Sequence, residues 1–271
     1  MAFERRYDPE QKQLIYLGAP ATPEFWDQTW ESQCLSREDL LSTKETTWSR
    51  VNKEFLRPED GPIIEGGCGF GIQVAAIHND GYSVTGIDFA PKTVQYLKSI
   101  APEMDFREGD VRNLELPDSS QAGYWSLGVI EHFWDGYDDI LMEAYRVLQQ
   151  RGIFFLVFPF MNPVRSLKGR IRLVSRWDKR QPENFYQFAL RSASVVERCR
   201  KLGFELVEQR TMLPTQGLAE ELPRFSSFMK RLNADQQLGV AKKVARRVLQ
   251  RPYRFLASRS CYSQLLVLRK P

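Results

Sequence analysis

"IIEGGCGFGIQ", Ile63 to Gln73, sets four glycines and a cysteine directly behind an acidic residue. Its apolar start reads as a short buried strand, and "IQVAAIHN" after it as a helix from about Ile72 to Asn79. A glycine-rich turn between strand and helix lets the backbone approach a ligand closely. The spacing is E-x-G-x-G-x-G, through Glu65, Gly67, Gly69 and Gly71. A dinucleotide fingerprint is G-x-G-x-x-G, so the third glycine here comes one residue early. A phosphate-binding P-loop needs Lys-Ser/Thr after its glycines, and "GIQ" supplies neither. Cys68 raises a redox or metal reading. However, Cys34, Cys68, Cys199 and Cys261 are scattered, without CxxC or Cys/His spacing, and His78 and His132 are the only histidines. No metal is expected.

Outward from this turn, Gly61 to Phe158 alternates short apolar runs with helical stretches. "YSVTGID" reads as a strand, "APKTVQYLKSI" as a helix with Pro91 in its first turn, and "MDFREGD" and "GYWSLGVI" as strands. "DGYDDILMEAYRVLQ" carries Ile140, Ala144, Val147 and Leu148 on one stripe, as an amphipathic helix does, and "GIFFLVFP" is apolar throughout. The alternation predicts an α/β fold with a doubly wound, mainly parallel sheet. A helix over Ser192–Leu202 stopped by Gly203, a strand "FELVEQRTM" and a final strand "CYSQLLVLRK" complete it. "TPEFWDQTWE" and "SREDLLSTKETTWSRVNKEFLR" read as helices opened by Thr22–Pro23 and Ser36. The expected organisation is an N-terminal helical lid over residues 1–60, then a binding domain over 61–271 with insertions at about 160–190 and 213–259.

Asp88 closes "VTGID" and Asp110 closes "REGD". Asp88 is placed for a ribose diol and Asp110 for an adenine amino group, although either alone would also serve as a helix cap. With Glu65, they put acids at the carboxyl ends of three successive strands, where an open α/β sheet binds its ligand. An acidic pocket without phosphate donors suits a nucleoside carrying a cation better than a pyrophosphate.

Glu65–Gly71, Asp88, "EGDVRNLELPDSS", "WSLGVIEHF" and "AYRVLQQRGIFFLVFP" together resemble the successive motifs of class I S-adenosylmethionine-dependent methyltransferases. The resemblance covers about Gly61 to Phe158. It implies a Rossmann-like sheet of seven strands with the last antiparallel, and S-adenosylmethionine as cofactor with S-adenosylhomocysteine as product. It further implies that Glu65, Gly67 and Gly69 hold the methionine part and Asp88 the ribose, with Phe89 against the adenosine. Asp110 and Val111 would contact adenine, and Leu127 would face the sulfonium. Methyl transfer relies mainly on positioning and desolvation, so a dedicated base is optional. Glu131 and His132 are the best-placed catalytic pair, with packing beside the cofactor as the alternative for His132. Quinone-precursor O-methyltransferases resemble "GVIEH" but carry Glu where this chain has Gly128, which argues against a metal role. The Asn/Asp-Pro-Pro-aromatic sequence of enzymes that methylate base amino groups is absent, which disfavours that reaction; no RNA-binding module accompanies the basic charge, so RNA is a weaker option for it and no nucleic acid is expected.

At 271 residues and 42% hydrophobic content the chain can build a large core, and no apolar run has the roughly 20 residues of a membrane span. The charged start "MAFERRYDPEQKQ" lacks a signal-peptide pattern, which predicts a cytoplasmic location. The net charge of +4 conceals two basic segments. Phe160–Arg180 carries seven basic residues against Asp178, and Arg224–Arg259 ten against Asp235. Both leave the carboxyl edge of the sheet, near Phe25, Trp26 and Trp30. Gln237–Gln250 reads as a basic amphipathic helix with Ala241, Val244, Ala245 and Val248 on one stripe. It suits peripheral contact with an anionic membrane, a funnel for an acidic substrate, or plain packing on the core. The expected reaction is methyl transfer to oxygen or nitrogen of a small-molecule acceptor, anionic and lipid-linked ones included. A non-catalytic binder of the same nucleoside serving regulation or assembly is the alternative, and a nicotinamide oxidoreductase is disfavoured by the glycine spacing.

Overall fold

A computed structural model describes residues 3–32, 35–178, 182–234 and 240–271, with backbone only over 240–246. The chain opens with two strands, β1 (Glu4–Asp8) and β2 (Gln13–Leu17), then helices α1 (Pro23–Glu31), α2 (Arg37–Leu41) and α3 (Thr47–Phe55). The central run is β3 (Ile63–Gly66), α4 (Ile72–Asn79), β4 (Val84–Asp88), α5 (Pro91–Ile100), β5 (Asp105–Glu108), β6 (Gln121–Leu127), α6 (Asp138–Val147) and β7 (Leu148–Pro159). The remainder is α7 (Pro163–Arg170), β8 (Ser175–Arg176), β9 (Phe185–Ala189), α8 (Ser192–Lys201), β10 (Glu205–Met212), α9 (Pro214–Glu221), α10 (Pro223–Ala234), α11 (Val240–Arg259) and β11 (Ser263–Arg269).

The main sheet has seven strands in the order β10-β11-β7-β6-β3-β4-β5. β3 pairs in parallel with β4 and β6, β4 with β5, and β6 with β7, whereas β11 runs antiparallel between β7 and β10. Strand order reverses at β3, and the carboxyl ends of β3, β4 and β6 therefore frame a crevice. Helices cover both faces. Ile64, Tyr124, Phe154 and Leu156 belong to one core cluster, while Ile63, Trp125, Phe155 and Val157 belong to the other. Trp125 stacks on Phe155 at 4.0 Å and donates its indole N–H to Asn52 Oδ1 at 2.9 Å, which fixes α3 against the sheet.

The N-terminal segment, expected as a helical lid, holds two strands besides its helices. β1 and β2 form an antiparallel hairpin that pairs with β9 and β8, giving a second sheet ordered β8-β1-β2-β9. Both faces of β2 are buried: Ile15 and Leu17 join the main core, and Leu14 and Tyr16 pack with Tyr7 and Val174. The helical stretch expected from Ser36 onward is two helices, each opened by a capping box, from Ser36–Asp39 and Thr46–Ser49.

A buried ionic cluster ties the second sheet to the insertions. Fully buried Arg165 binds Glu221 Oε1 at 3.0 Å, Glu220 Oε2 at 2.9 Å and the Phe160 carbonyl at 2.8 Å. Arg5 from β1 and Lys168 from α7 also reach Glu221, and the Tyr16 hydroxyl donates to Glu220 at 2.5 Å. Part of the first basic segment is thus internal neutralisation, not an exposed funnel. Of the basic helix expected over 237–250, residues 237–239 and the stripe Ala241, Val244 and Ala245 lie outside the described residues and side chains.

Candidate active site

The crevice at the switch point is a cavity of about 470 Å³. Its floor is the glycine turn between β3 and α4. Gly67, Gly69 and Gly71 have φ of +75°, +51° and +79°, in the left-handed region that glycine enters without a steric penalty. A Cβ on Gly67 would come within 2.5 Å of Val129 Cγ2. The backbone N–H groups of Gly67 and Cys68 donate to the Ile87 carbonyl at 2.7 and 3.1 Å, and that of Gly69 to Asp88 Oδ2 at 2.8 Å. Three successive donors therefore face β4, leaving the turn poorly equipped to cradle phosphate. The buried Cys68 thiol is pushed well above its ordinary range by burial and by nearby Asp88 and Glu65, the reverse of a reactive thiolate.

Glu65, Gly67, Gly69, Asp88, Phe89, Asp110, Val111, Leu127 and His132 all line the cavity. Glu65 is buried and its Oε2 has no partner; burial first, then the Asp88 charge, raises its pKa well above the carboxylate range. Gln73, the second residue of α4, also lines the cavity with its Nε2 unpartnered, its Oε1 taking the Thr46 hydroxyl at 2.6 Å. Asp88 accepts from Gly69 on one oxygen and from Ala90 N–H at 3.0 Å on the other, leaving each oxygen a further lone pair. Burial raises its pKa despite these bonds. Asp110 differs. Arg112 clamps it through Nε and Nη2, at 2.6 Å for the shortest bond, and holds its carboxyl below the usual range.

Glu131 is the one expected residue absent from the cavity wall. It lies in the 3₁₀ turn Ile130–His132, buried behind Gly128, with its Oε2 unpartnered. A Cβ on Gly128, whose φ is +74°, would sit 3.3 Å from Glu131 Oε1. Burial pushes the Glu131 pKa up to about 8, so at neutral pH it is chiefly the uncharged acid. His132 faces the cavity. Its Nδ1 is 2.7 Å from the Tyr186 carbonyl on β9, and because a carbonyl only accepts, the Nδ1 proton donates there. Burial lowers the ring's pKa to about 4, against the opposing effect of bonds to the backbone of Tyr186 and Gly128.

The sequence reading missed most of the aromatic wall. Trp26 and Trp30 of α1 stack at 5.3 Å, Trp30 reaches Phe70 at 5.0 Å, and Trp26 and Tyr186 both meet His132 edge-on at 5.0 Å. Trp48 and Phe133 complete the lining. Buried Asp27 holds α1 in place, accepting from the Thr93 N–H and hydroxyl, both at 2.9 Å, at the start of α5. Aromatics spaced along "EFWDQTW" were visible as a lid, but nothing local points to Trp48, Phe133 or Tyr186.

Residues 64–156 match the family model described as "Methyltransferase domain". Over 158 residues the chain is 30% identical to a "Probable S-adenosylmethionine-dependent methyltransferase" of Mycolicibacterium smegmatis, an overlap covering 58% of this chain and 57% of that protein. A similarly named Mycobacterium tuberculosis protein is 29% identical over 108 residues, 40% of this chain and 38% of its own length. Among solved structures, one from the Haloferax volcanii complex of the Trm112 methyltransferase activator with a methyltransferase aligns with TM-score 0.56 at 18% identity. It covers 92% of this chain and 95% of that one. An Archaeoglobus fulgidus SAM-dependent methyltransferase gives 0.54 at 14% identity, over 91% and 99%. The match to a methyltransferase domain thus falls on residues 64–156, the stretch that carries the glycine turn and the parallel strands of the sheet, and over a longer stretch the chain is similar to S-adenosylmethionine-dependent methyltransferases.

Proposed function

We propose that the protein transfers a methyl group from S-adenosylmethionine to an oxygen or nitrogen of a small-molecule acceptor. The observation that carries this reading is that two buried polar atoms of the cavity lining, Glu65 Oε2 and Gln73 Nε2, have no partner, in a cavity whose wall also carries Asp88, Asp110 and several aromatic rings. An acceptor and a donor in one cavity match the ammonium and carboxylate of an amino acid. A bound ammonium would also oppose the burial that raises the Glu65 pKa. The free lone pairs of Asp88 fit a ribose diol, and exposed Phe89 offers a face to adenine. Asp110 approaches the base as half of a clamped ion pair with Arg112. The indole rings of Trp26 and Trp30 suit a sulfonium through their negative faces.

When bound, the cofactor supplies an electrophilic methyl on a good leaving group. The chain's residues then position, exclude water and accept a proton. His132 keeps its Nδ1 proton on Tyr186 and carries its basic lone pair on Nε2. A base with pKa near 4 cannot remove a hydroxyl proton in advance. The attacking atom becomes strongly acidic as the methyl arrives, however, and a late transfer to Nε2 is then downhill. Glu131, behind Gly128, acts as a positioning residue for the 3₁₀ turn.

The test combines binding and turnover. Calorimetry should detect S-adenosylhomocysteine and no comparable NAD binding, and Asp88→Ala should weaken the former about tenfold, the equivalent of one or two lost hydrogen bonds. With hydroxylated and amino acceptors, His132→Ala should lower turnover while leaving that affinity unchanged. NAD binding without S-adenosylhomocysteine binding would refute the cofactor assignment. Binding without turnover on any acceptor would leave a non-catalytic nucleoside binder.

A further inference from the structure

The strongest unassigned feature outside the cavity is where exposed apolar side chains coincide with the basic segments. Eleven large hydrophobic residues are exposed among the described residues, and six of them lie in those segments: Leu167, Ile171, Leu173, Phe228, Val248 and Phe255. Leu173 at 69%, Val248 at 66% and Phe255 at 59% are more open than any outside them. Scattered single apolar residues are ordinary on a protein surface, but concentration within basic segments is not.

The helices show how the pattern is built. Leu249 and Tyr253 of α11 pack with Phe225, Met229 and Leu232 of α10, and Ala257 is buried, so the opposite side of α11 faces out. That outer side carries Val248, Arg251, Phe255 and Arg259, with Arg247 and Arg254 beside it. On α10, Arg224 and Arg231 flank Phe228 around a shallow depression. No acidic residue occurs from Gln236 to the last residue, and among the described residues no carboxylate pairs with Arg224, Arg251, Arg254 or Arg259. α7 adjoins this unit through Lys168 and Glu221, and it leads into Ile171 and Leu173 between exposed Arg170, Arg172 and Arg176. α7 follows the carboxyl end of β7, and α9 follows β10, which runs parallel to β7. Both basic units therefore hang from the sheet edge that holds the cavity.

We infer that the outer face of α10 and α11, with the turn after α7, is a docking surface for an anionic lipid bilayer. Arginines flanking outward apolar side chains match a surface with negative headgroups above an acyl layer, and each basic residue near such a surface adds attraction. The geometry is interfacial only, since no described helix is long and apolar enough to cross a membrane. A nucleic acid would use the arginines but give Phe228, Val248 and Phe255 no apolar medium to enter. The inference stands independently of which acceptor the cavity takes.

Co-sedimentation of the full-length protein with phosphatidylcholine vesicles, with and without phosphatidylglycerol, tests it. Binding should require phosphatidylglycerol and weaken with salt. The double variant Arg251→Gln/Arg254→Gln should lower the partition coefficient about fivefold per charge removed, corresponding to about 1 kcal/mol each. Phe228→Ser/Phe255→Ser should lower it further than salt alone does. Both variants should keep the parent melting temperature and S-adenosylhomocysteine affinity, which separates failure here from failure of the cofactor assignment. Equal partitioning to both vesicle types, undiminished binding by the folded variants, or retention on RNA but not vesicles would overturn the inference.

Discussion

Replacing Glu131 by glutamine tests whether a buried acid stands beside the candidate site in its uncharged form. The side chain is buried behind Gly128 with Oε2 unpartnered, and burial pushes its pKa up to about 8 from an ordinary value of 4.5. The folded state therefore holds a proton that the unfolded chain releases between those two values. The Glu131 contribution to stability is greatest below pH 4.5, falls as pH rises through the window, and levels off above about 8. Between pH 5.5 and 8.5 the linkage amounts to about 3 kcal/mol, an upper bound because relaxation and entering water reduce such penalties. Glutamine has nearly the same shape and does not titrate. The absolute stability of Glu131→Gln is not the diagnostic quantity, because its amide brings donors that need partners. The diagnostic quantity is the pH slope. Urea unfolding across this range should show the parent losing up to about 3 kcal/mol more than the variant, or roughly 6–12 °C in melting temperature. Glu65, also raised by burial, contributes to both proteins and cancels in the difference. Parallel profiles would refute the reasoning, because they would mean that Glu131 reaches water or a cation.

Arg165→Leu should destabilise the fold by about 3–5 kcal/mol in urea unfolding, because it leaves Glu221 charged and buried with fewer partners. Losing less than about 1 kcal/mol would show that Arg5 and Lys168 suffice. Gly67→Ala should abolish measurable S-adenosylhomocysteine binding, since it combines a strained φ of +75° with a methyl 2.5 Å from Val129 Cγ2. Adding Val129→Ala should recover only part of that binding, because the backbone strain of about 1 kcal/mol persists; full recovery would assign the whole effect to the clash.

The central sheet was legible because its information is local. Short apolar runs alternate with helical stretches from Ile63 to Pro159, and a doubly wound sheet brings successive strand ends together, so acids at those ends converge. The second sheet was not legible because β2 pairs with β9, some 170 residues further on, and two-sided burial removes the alternation that marks a strand. The hairpin still left a trace in "YDPEQKQLIYLG", where a turn-forming stretch separates Tyr7 from four consecutive apolar residues. Glu131 and His132 show a finer limit. Adjacent residues in a 3₁₀ turn point about 120° apart, so only one of an adjacent pair can face the cavity. Neighbourhood in sequence could not say which.

Charge is where counting residues and folding them diverge most. The segment from Met212 to Ala234 contains two acidic residues, Glu220 and Glu221, and both turn inward onto Arg165, Lys168, Arg5 and Tyr16. In doing so they neutralise cations contributed by the first basic segment and the N-terminal hairpin, and none of the arginines on α10 or α11 among the described residues. The basic charge therefore divides into two populations. Arg165 and Lys168 hold insertion, hairpin and core together, while Arg224, Arg251, Arg254 and Arg259 are exposed and, among the described residues, pair with no carboxylate. The exposed face is more positive than the sequence of its own segment suggests, because folding removed that segment's negative charges to the interior. Neutralising the cluster should accordingly change stability and leave vesicle binding intact, whereas neutralising the outer arginines should do the opposite. If Arg165→Leu instead reduced vesicle binding in a protein that remained folded, this division of the charge would be wrong.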